Sequence, residues 1–382
     1  MNINPAIYLD YNATTPVAPE VVNEMLPHFL SAYGNPSSSD HIMGWQAKEA
    51  EEEARANMAR ILNVKSQELI FTAGATEAIN MVLRGMEKGS RNHIITLKSE
   101  HNAVLDTCVA LESSGVDVTY LGVDQNGIIN LEELENAITE HTYMVSVMLV
   151  NNETGVIQPL KDIAAICKSN SVLFMSDATQ AIGKMPVNVE ELGLDIMAGS
   201  AHKFYGPKGV GFLYMKDDLY KRLNPIITGG GQELKKRAGT TNVPGIIGMA
   251  KALELADERM EEDMNRIERF RDHFEDKLSS ALDITVAAKY AARLYNTSNL
   301  CFKNADSQHI MLAIGAKVAA SRGSACSSGK IEPSHVLSAM GISEDDALSS
   351  IRFSIGRYTT LHEIDTAMDL LVKSVNRLKV QD

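Results

Sequence analysis

The sequence predicts an α/β protein whose large domain contains a mostly parallel seven-stranded sheet, joined to a smaller α+β domain. Short apolar runs alternate with helix-like stretches from Glu68 to Met215, which is the pattern of parallel strands covered by helices. At 382 residues, the chain exceeds the size at which a single hydrophobic core usually stops growing. Apolar residues form 45% of the chain, a fraction typical of globular proteins.

Seven apolar runs in this region have the length and composition of strands. Turn-forming or helix-like stretches separate them, so each run is expected to form its own strand of the large sheet. In chain order, the predicted strands are Glu68–Phe71, His93–Leu97, Val118–Gly122, Tyr143–Val150, Val172–Met175, Asp195–Ala198 and Gly209–Met215.

The C-terminal third changes character. From Ile246 to Leu278, apolar residues recur at helical spacing between charged ones, which predicts a helical bridge out of the large domain. Strand-like runs at Asn299–Phe302 and Ile351–Ile355 and an amphipathic helix ending near Leu378 indicate the smaller α+β unit. We therefore predict one large domain and one small domain formed by both chain ends: residues 15–250, and residues 1–14 with 251–382.

The charge balance and the cysteines exclude several classes of protein. Acidic residues outnumber basic ones by 49 to 36, and no long Lys/Arg block is present, which argues against direct binding to nucleic acid. No signal-like start and no membrane-length apolar run occurs, so we expect a cytoplasmic protein that does not bind membranes. The four cysteines lie far apart without a C-x-x-C pair, so neither a metal site nor a disulfide framework is expected.

Polar residues follow most of the predicted strands at the carboxyl edge of the sheet, where open α/β sheets bind ligands. Small residues in Thr72–Glu77 precede a helix beginning near Thr76, whose N–H groups and hydroxyl suit a phosphate. Taken singly, each residue has an ordinary explanation, such as a helix cap, a turn or a solvated charge. Because all of these residues fall at the same edge of the predicted sheet, one common site is a better interpretation than several unrelated roles. The other candidates are His101, Asn152, Asp177, Gln180, Ser200, His202 and Lys203.

This combination of groups matches what pyridoxal 5'-phosphate (PLP) requires from a protein. Lys203 is the candidate for the Schiff base, and Asp177 is the acid that would keep the pyridine nitrogen protonated. Gln180 is suited to the phenolic oxygen of the cofactor, while Ser200 and His202 add donors for its phosphate. The residues therefore predict a PLP site at this edge.

Cys326 is the candidate nucleophile. It lies in Ser321–Gly329, a polar stretch with several glycines that predicts an exposed, mobile loop over about residues 321–332. Only a thiolate attacks, and Arg322 is hypothesised to stabilise that thiolate, although a solvated loop arginine is an equal alternative. The remaining cysteines fall within helix or strand patterns, where burial is expected: Cys108, Cys167 and Cys301.

Motifs along nearly the whole chain closely resemble those of the NifS/IscS-like cysteine desulfurases. This family consists of class V aminotransferase-like PLP enzymes of fold type I, usually homodimers. The matching segments are Tyr8–Thr15, Gly34–Ser38, Thr72–Glu77, Ser99–His101, Asn151–Gly155, Asp177–Gln180, Ser200–Gly206, Arg237–Thr240, Ser324–Ser328 and Ser350–Ser354.

The resemblance implies a role for each matching residue. Lys203 would form the Schiff base and shuttle a proton, and His101 would stack on the cofactor and assist proton transfer. Arg352 would clamp the substrate carboxylate with its guanidinium fork. The implied cofactor-binding residues are Ala75, Thr76, His101, Asn152, Asp177, Gln180, Ser200, His202, Lys203 and Thr240 of the partner subunit; the implied substrate-binding residues are Asn35, Asn152 and Arg352.

The implied reaction converts L-cysteine to L-alanine and leaves the sulfur on Cys326 as a persulfide. An acceptor protein then takes the sulfur, for iron–sulfur cluster assembly or for another thiolation pathway such as that of tRNA or DNA phosphorothioation. Two alternatives are an aminotransferase or selenocysteine lyase of the same fold, and a non-enzymatic subunit that lost catalysis. Cys326 argues against a transaminase, and the intact Lys203, Asp177 and His101 argue against the second alternative.

Overall fold

The structure is a computed structural model that describes residues 6–322 and 332–378. Cys326 and most of its predicted loop lie outside these residues. The strands in the described part of the chain are β1 (Ile7–Tyr8), β2 (Leu69–Thr72), β3 (His93–Leu97), β4 (Asp117–Leu121), β5 (Thr142–Ser146), β6 (Leu173–Asp177), β7 (Ile196–Ser200), β8 (Gly211–Met215), β9 (Ile284–Val286), β10 (Thr297–Phe302), β11 (Val318–Ala319) and β12 (Ser350–Ser354).

Helices connect and cover these strands. Four short 3-10 turns accompany them in the described residues, at Ser66–Glu68, Ala201–Lys203, Asp217–Arg222 and Glu233–Lys235. The α-helices are α1 (Pro19–Met25), α2 (Pro27–Leu30), α3 (Ile42–Leu62), α4 (Ala75–Gly85), α5 (Asn102–Glu112), α6 (Leu131–Ala137), α7 (Leu160–Ser169), α8 (Val243–Glu258), α9 (Met260–Ala281), α10 (Ser307–Ile314), α11 (His335–Ala339), α12 (Glu344–Leu348) and α13 (Leu361–Leu378).

Local sequence signals explain where several helices begin. The side chain of Asn130 accepts hydrogen bonds from two backbone amides of α6, and Asp306 accepts one at the start of α10. Ser334 and Ser343 cap α11 and α12 in the same way. Such caps satisfy amide groups that have no partner within their helix, which makes Asn, Asp and Ser favourable at these positions.

The large sheet has seven strands in the order β2-β8-β7-β6-β5-β3-β4. Four of its neighbouring pairs are parallel, whereas β8 runs antiparallel to both β7 and β2. The predicted mostly parallel seven-stranded sheet is therefore confirmed. The reversal at β8 arises because the connection from Ser200 to Gly211 is too short for a crossover helix.

The structure differs from the predicted elements in two places. The run Tyr143–Val150 was expected to be one strand, but β5 ends at Ser146 and the following residues pass, still buried, into the loop that carries Asn152. The predicted helical bridge is two helices rather than one. The chain breaks between α8 and α9 at Arg259, whose backbone angles of φ −104° and ψ 3° are not helical.

A second, antiparallel sheet contains β9, β10 and β12, with β10 in the centre. The N-terminal strand β1 pairs in parallel with β11, which brings Asp10 and Asn12 beside the end of β12. The largest cluster of buried apolar residues extends from Leu9 to Val375, and two further clusters lie beside α4 and around α11. The division into residues 15–250 and the two chain ends stays a prediction. Within residues 6–322 and 332–378, no helix has the length and apolar character that membrane crossing requires.

Candidate active site

A cavity of about 780 Å³ opens at the carboxyl edge of the large sheet. It contains ten of the predicted site residues, which come from separate strand ends and from β12. Asn35 and Thr240 do not line it, and both are exposed on the surface of this chain. The predicted residues that line it are Ala75, Thr76, His101, Asn152, Asp177, Gln180, Ser200, His202, Lys203 and Arg352.

The first turn of α4 forms one wall of the cavity. Gly74 lies at the N-cap of this helix, and the hydroxyl of Thr72 both donates to the Gly74 carbonyl oxygen and accepts from its amide. The amides that follow have no acceptor inside the helix, because the first turn of an α-helix leaves its N–H groups unpaired. Ala75 and Thr76 therefore offer donors suited to a phosphate group.

Lys203 follows β7 on a 3-10 turn, and its Nζ donates to the carbonyl oxygens of Asn12 at 2.6 Å and Ala13 at 2.8 Å. Burial lowers the pKa of this amine to about 8, and the positive charge of Arg352 contributes to the same shift. A lower pKa increases the fraction of neutral amine near pH 7, which is the form that attacks a carbonyl group.

His202 is a neutral imidazole at physiological pH. Burial lowers its pKa to about 4, and the charges of Lys203, Lys208 and Lys184 act in the same direction. Its Nδ1 lies 3.2 Å from the hydroxyl oxygen of Thr14. A neutral imidazole can donate from one nitrogen and accept at the other, so His202 can bond a phosphate oxygen without adding charge.

Asp177 and His101 lie at the ends of strands β6 and β3, which are separated in the sheet by β5. Asp177 is the last residue of β6, and its Oδ1 accepts a 2.9 Å hydrogen bond from the amide of Thr179. His101 caps α5, where its Nδ1 accepts from the amide of Ala103 at 3.0 Å. With Nδ1 as an acceptor, a neutral ring carries its hydrogen on Nε2. The site thus contains a fixed carboxylate and an imidazole of defined tautomer.

Lys184 is a buried residue that sequence reasoning missed. Its Nζ donates to Oε1 of Gln180 at 2.7 Å, and Nε2 of Gln180 donates to the carbonyl oxygen of Asn12 at 3.0 Å. Burial lowers the pKa of Lys184 well below its usual value. Because an amine donor faces Oε1, the amide group of Gln180 has one orientation. Only the four-residue spacing of Gln180 and Lys184 could have indicated this pair.

Asn12 was part of a matching motif but received no role from the sequence. Its Nδ2 donates to the hydroxyl oxygen of Thr297 at 2.8 Å and to the carbonyl oxygen of Asn152 at 3.1 Å. Its Oδ1 accepts from Nδ2 of Asn296, and its backbone amide donates to the hydroxyl oxygen of Ser354. Asn12 therefore joins the N-terminus to the second sheet at the base of the cavity.

Arg352 enters the cavity from β12 with donors available for an anion. Its Nη2 donates to Oδ1 of Asp10 at 2.8 Å, and its Nη1 donates to the carbonyl oxygen of Asn152 at 3.1 Å. Its Nε is buried without a hydrogen-bond partner among residues 6–322 and 332–378. Asp10, which the sequence did not single out, thus orients the guanidinium of Arg352 at the cavity.

The three cysteines in the described part of the chain are buried and away from the cavity. Burial raises the pKa of the Cys108 and Cys167 thiols to about 12 and that of Cys301 to about 11. None of them is a thiolate near neutral pH, so none is suited to nucleophilic attack. Their predicted burial is confirmed.

The donors present fit PLP. Unpaired amides at the start of α4, a neutral imidazole and a serine suit its phosphate, while the carboxylate of Asp177 suits a protonated pyridine nitrogen. Lys203, with its lowered pKa, suits the aldehyde. Phosphate, ring nitrogen and aldehyde groups thus each have a chemical counterpart within one cavity.

Comparisons with known proteins agree with this chemistry. The family model described as "Aminotransferase class-V" matches residues 7–367. The "Cysteine desulfurase IscS" of Rickettsia bellii is 46% identical over 382 residues, covering 99% of this chain and 93% of that relative. A solved "NIFS-LIKE PROTEIN" superposes with a TM-score of 0.90 at 38% identity, over 97% of this chain and 99% of its own.

A further solved structure is described as "SspA in complex with cysteine". It has a TM-score of 0.81 and 34% identity, over 92% of this chain and 99% of its own. The chain therefore belongs to the aminotransferase class-V family of PLP-dependent enzymes. Within that family it is a member of the cysteine desulfurases.

Proposed function

We propose that this protein removes sulfur from L-cysteine and transfers it, as a persulfide on Cys326, to an acceptor protein. The observation that carries the proposal is Lys203, a lysine of lowered pKa in a cavity that also contains Asp177 and Arg352. This arrangement supports the chemistry of an amino acid held by its carboxylate beside a PLP ring. The relative described in complex with cysteine supports the same substrate.

We infer the following cofactor contacts. Thr76, Ser200 and His202, with the amide of Ala75, hold the phosphate. Asp177 pairs with the pyridine nitrogen, Gln180 bonds the phenolic oxygen, and Asn152 contacts both cofactor and substrate. PLP supplies an electron sink for the carbanion formed at Cα of the substrate. Thr240 of the partner subunit is a further proposed ligand of the phosphate.

The proposed proton transfers use Lys203 and His101. Lys203 would hold the cofactor covalently, and its amine, when free, would take the Cα proton of L-cysteine. His101 would contact the cofactor, and its Nε2 would assist proton transfer near the substrate. Arg352 binds the substrate carboxylate, and Asn35 contributes to the substrate site from outside the cavity of its own chain.

The proposed sulfur transfer balances without an external oxidant. The Cys326 thiolate attacks the substrate sulfur, so an S–S bond forms while the bond between that sulfur and Cβ breaks. The electron pair of the broken bond goes to the substrate carbon, which takes a proton and becomes the methyl group of L-alanine. A nucleophile on the acceptor then removes the outer sulfur and returns Cys326 as a thiolate.

We further propose that the protein is a cytoplasmic homodimer that delivers sulfur to an iron–sulfur scaffold or to a protein of another thiolation pathway. The relatives named "Cysteine desulfurase IscS" support the first type of acceptor. The proposed large domain, residues 15–250, would hold the cofactor. The proposed small domain would carry Cys326.

Two substitutions test the proposed roles. Lys203→Ala removes both the covalent attachment and the proposed base, so L-alanine formation should fall by at least about a hundredfold. Cys326→Ala should retain the visible absorbance of bound PLP but lose sulfide production in the presence of dithiothreitol. Cys167→Ala, which removes a buried thiol away from the cavity, is the matched control and should keep the parent rate. A Cys326→Ala variant that forms alanine and sulfide at the parent rate would refute the assignment.

A further inference from the structure

The side-chain amide of Gln180 is held at both of its ends in the wall of the cavity. At one end, its Oε1 accepts a hydrogen bond of 2.7 Å from Nζ of Lys184. At the other end, its Nε2 donates to the carbonyl oxygen of Asn12 at 3.0 Å. Gln180 lines the cavity, although only 4% of the residue is exposed. Two neighbours therefore determine the orientation of a buried side chain that faces the site.

The Gln180 amide keeps one donor for a ligand. Its NH2 group has two hydrogens, and among residues 6–322 and 332–378 its Nε2 bonds to one acceptor, the carbonyl oxygen of Asn12. That carbonyl oxygen also accepts from Nζ of Lys203 at 2.6 Å, so both of its lone pairs are used. The second hydrogen of Nε2 remains available on a residue that lines the cavity.

Lys184 is a buried lysine that serves the Gln180 amide. Only 5% of Lys184 is exposed, and in the described part of the chain its Nζ has Oε1 of Gln180 as its acceptor. A charged ammonium group has three N–H groups, so two of them would be buried without an acceptor. Burial lowers the pKa of Lys184 well below its usual value, and the charges of Lys203 and Arg352 act in the same direction. Lys184 therefore acts as a neutral donor.

Both hydrogen bonds are needed to fix the plane of the Gln180 amide. The terminal torsion of a glutamine side chain has broad preferences, so a single bond at Nε2 would leave the group free to rotate. A rotated amide would turn its oxygen toward the cavity, and an oxygen cannot donate to an acceptor there. With Lys184 in place, Oε1 faces the amine and Nε2 stays on the side of Asn12.

We propose that Lys184 is a positioning residue for the cofactor: its hydrogen bond to Oε1 holds the Gln180 amide so that the second hydrogen of Nε2 points to an acceptor oxygen in the cavity. This inference rests on the proposed function, which assigns to Gln180 a hydrogen bond with the phenolic oxygen of PLP. It goes further in giving cofactor binding a contribution from a buried lysine that is not among the described residues lining the cavity.

Lys184→Met tests the proposal through the equilibrium affinity of the apoprotein for PLP. Methionine keeps a long side chain but has no donor, so the Kd of PLP should rise about tenfold, as for the loss of one buried hydrogen bond. The unpaired Oε1 destabilises the protein with or without PLP, so that cost cancels in the affinity. The absorbance maximum of bound PLP should shift in the same direction as in Gln180→Leu. A Kd equal to that of the parent, or a shift in the opposite direction, would overturn the proposal.

Lys303→Met is the matched control. Nζ of Lys303 donates to Oδ1 of Asp346 at 2.6 Å, and neither residue lines the cavity. This variant loses a lysine hydrogen bond of similar length, and its Kd for PLP should match that of the parent. Equal weakening in Lys303→Met and Lys184→Met would assign the effect to a general loss of stability and overturn the proposal.

A double variant shows whether Lys184 acts through Gln180. Once the amide has been removed by Gln180→Leu, Lys184 has no amide to orient, so Lys184→Met in that background should change the Kd by less than about twofold. A larger further loss would overturn the proposal. If Lys184→Met folds poorly, Lys184→Gln in the same background carries the same expectation and the same contradicting outcome.

These measurements distinguish failure of the inference from failure of the proposed function. If Gln180→Leu weakens PLP binding but Lys184→Met does not, only the positioning role of Lys184 fails. If Gln180→Leu binds PLP as tightly as the parent, the proposed cofactor contact of Gln180 fails and the role of Lys184 fails with it. If the parent protein itself takes up no PLP, the proposed function fails.

Discussion

Lys203 is surrounded by features that favour its neutral amine. It is buried, the guanidinium of Arg352 adds a positive charge nearby, and the opposing charges of Asp177 and Asp10 contribute less. A lysine in water would be almost fully protonated at neutral pH. The cavity thus prepares this side chain for attack on an aldehyde before any cofactor arrives.

This environment predicts a pH dependence for cofactor capture. The reactive amine is the deprotonated form, so the rate at which apoprotein binds PLP covalently should rise as the pH increases through about 8. Arg352→Gln removes a charge that lowers this pKa, so the midpoint should move to higher pH. Stopped-flow absorbance of bound cofactor, measured across pH, reports the midpoint directly.

Lys208→Gln is the control for that measurement. Lys208 also lines the cavity, but its charge shifts the pKa of His202 and does not contribute to that of Lys203. The pH midpoint of covalent PLP binding in Lys208→Gln should match that of the parent protein. An unchanged midpoint in Arg352→Gln would show that its charge does not act on Lys203.

Some residues of the candidate site could be predicted from the sequence and others could not. Lys203 and Asp177 were predicted because each lies at or shortly after the end of a strand, and the carboxyl ends of the parallel strands share one edge of the sheet. Asp10 and Lys184 were not predicted as site residues. Their importance comes from partners distant in the chain or from burial, and neither is visible in local sequence. Arg322 remains a hypothesis, because the thiol that it would stabilise lies outside the described residues.

At the scale of elements, strand β8 passes directly against the turn at Gly74 that begins α4. A Cβ on Gly211 would lie 2.5 Å from the carbonyl oxygen of Gly199 and 2.6 Å from Cα of Gly74. Both contacts are with backbone, which cannot rotate away as a side chain can. The absence of a side chain at Gly211 therefore lets the edge of the sheet approach the N-cap of α4.

Gly211→Ala should disturb both stability and cofactor binding. We expect the free energy of unfolding of the apoprotein to fall by about 1–3 kcal/mol, as for other overpacked sites, with weaker PLP affinity because Gly74 must shift. Urea unfolding and PLP titration measure the two effects. Gly122→Ala is the control, since a Cβ there meets no atom within 4 Å. Equal behaviour of the two variants would contradict this packing argument.

The positions of the strands were predicted better than the directions in which they run. Buried strands show the same continuous apolar run whether their neighbours are parallel or antiparallel. The reversal of β8 was therefore marked in the sequence only by the short connection before it, which leaves no room for a crossover helix. The break between α8 and α9 was missed for a related reason. No glycine or proline occurs at Arg259, and apolar residues keep helical spacing on both sides of it.

At the scale of the whole molecule, α2, α3 and the residues between them expose several large apolar side chains. Phe29 is 58% exposed, Leu30 69%, Tyr33 70% and Trp45 55%. Exposed apolar side chains that lie together often mark interaction sites. Three of these residues lie within six positions of Asn35, one of the two described site residues that do not line the cavity of this chain. Both facts support the proposed homodimer.

A complementation experiment tests whether Thr240 acts across that dimer. Thr240→Val alone should weaken PLP binding about tenfold by removing a phosphate hydrogen bond. Mixed dimers of Lys203→Ala and Thr240→Val chains would then contain one intact site if Thr240 serves the partner subunit. At limiting PLP, the refolded mixture should exceed the activity of either variant alone. Activity equal to the average of the two would contradict action across the interface.

Asn12 has a consequence for biosynthesis. This residue bonds to Asn296, Thr297 and Ser354, which lie 284, 285 and 342 positions later in the chain. Ribosomes add about 5–20 residues per second, so on the order of tens of seconds separates these partners. A nascent chain cannot complete the floor beneath Lys203 before then. The base of the cavity therefore closes only after the chain has been made as far as Ser354, and a shorter nascent chain lacks this part of the site.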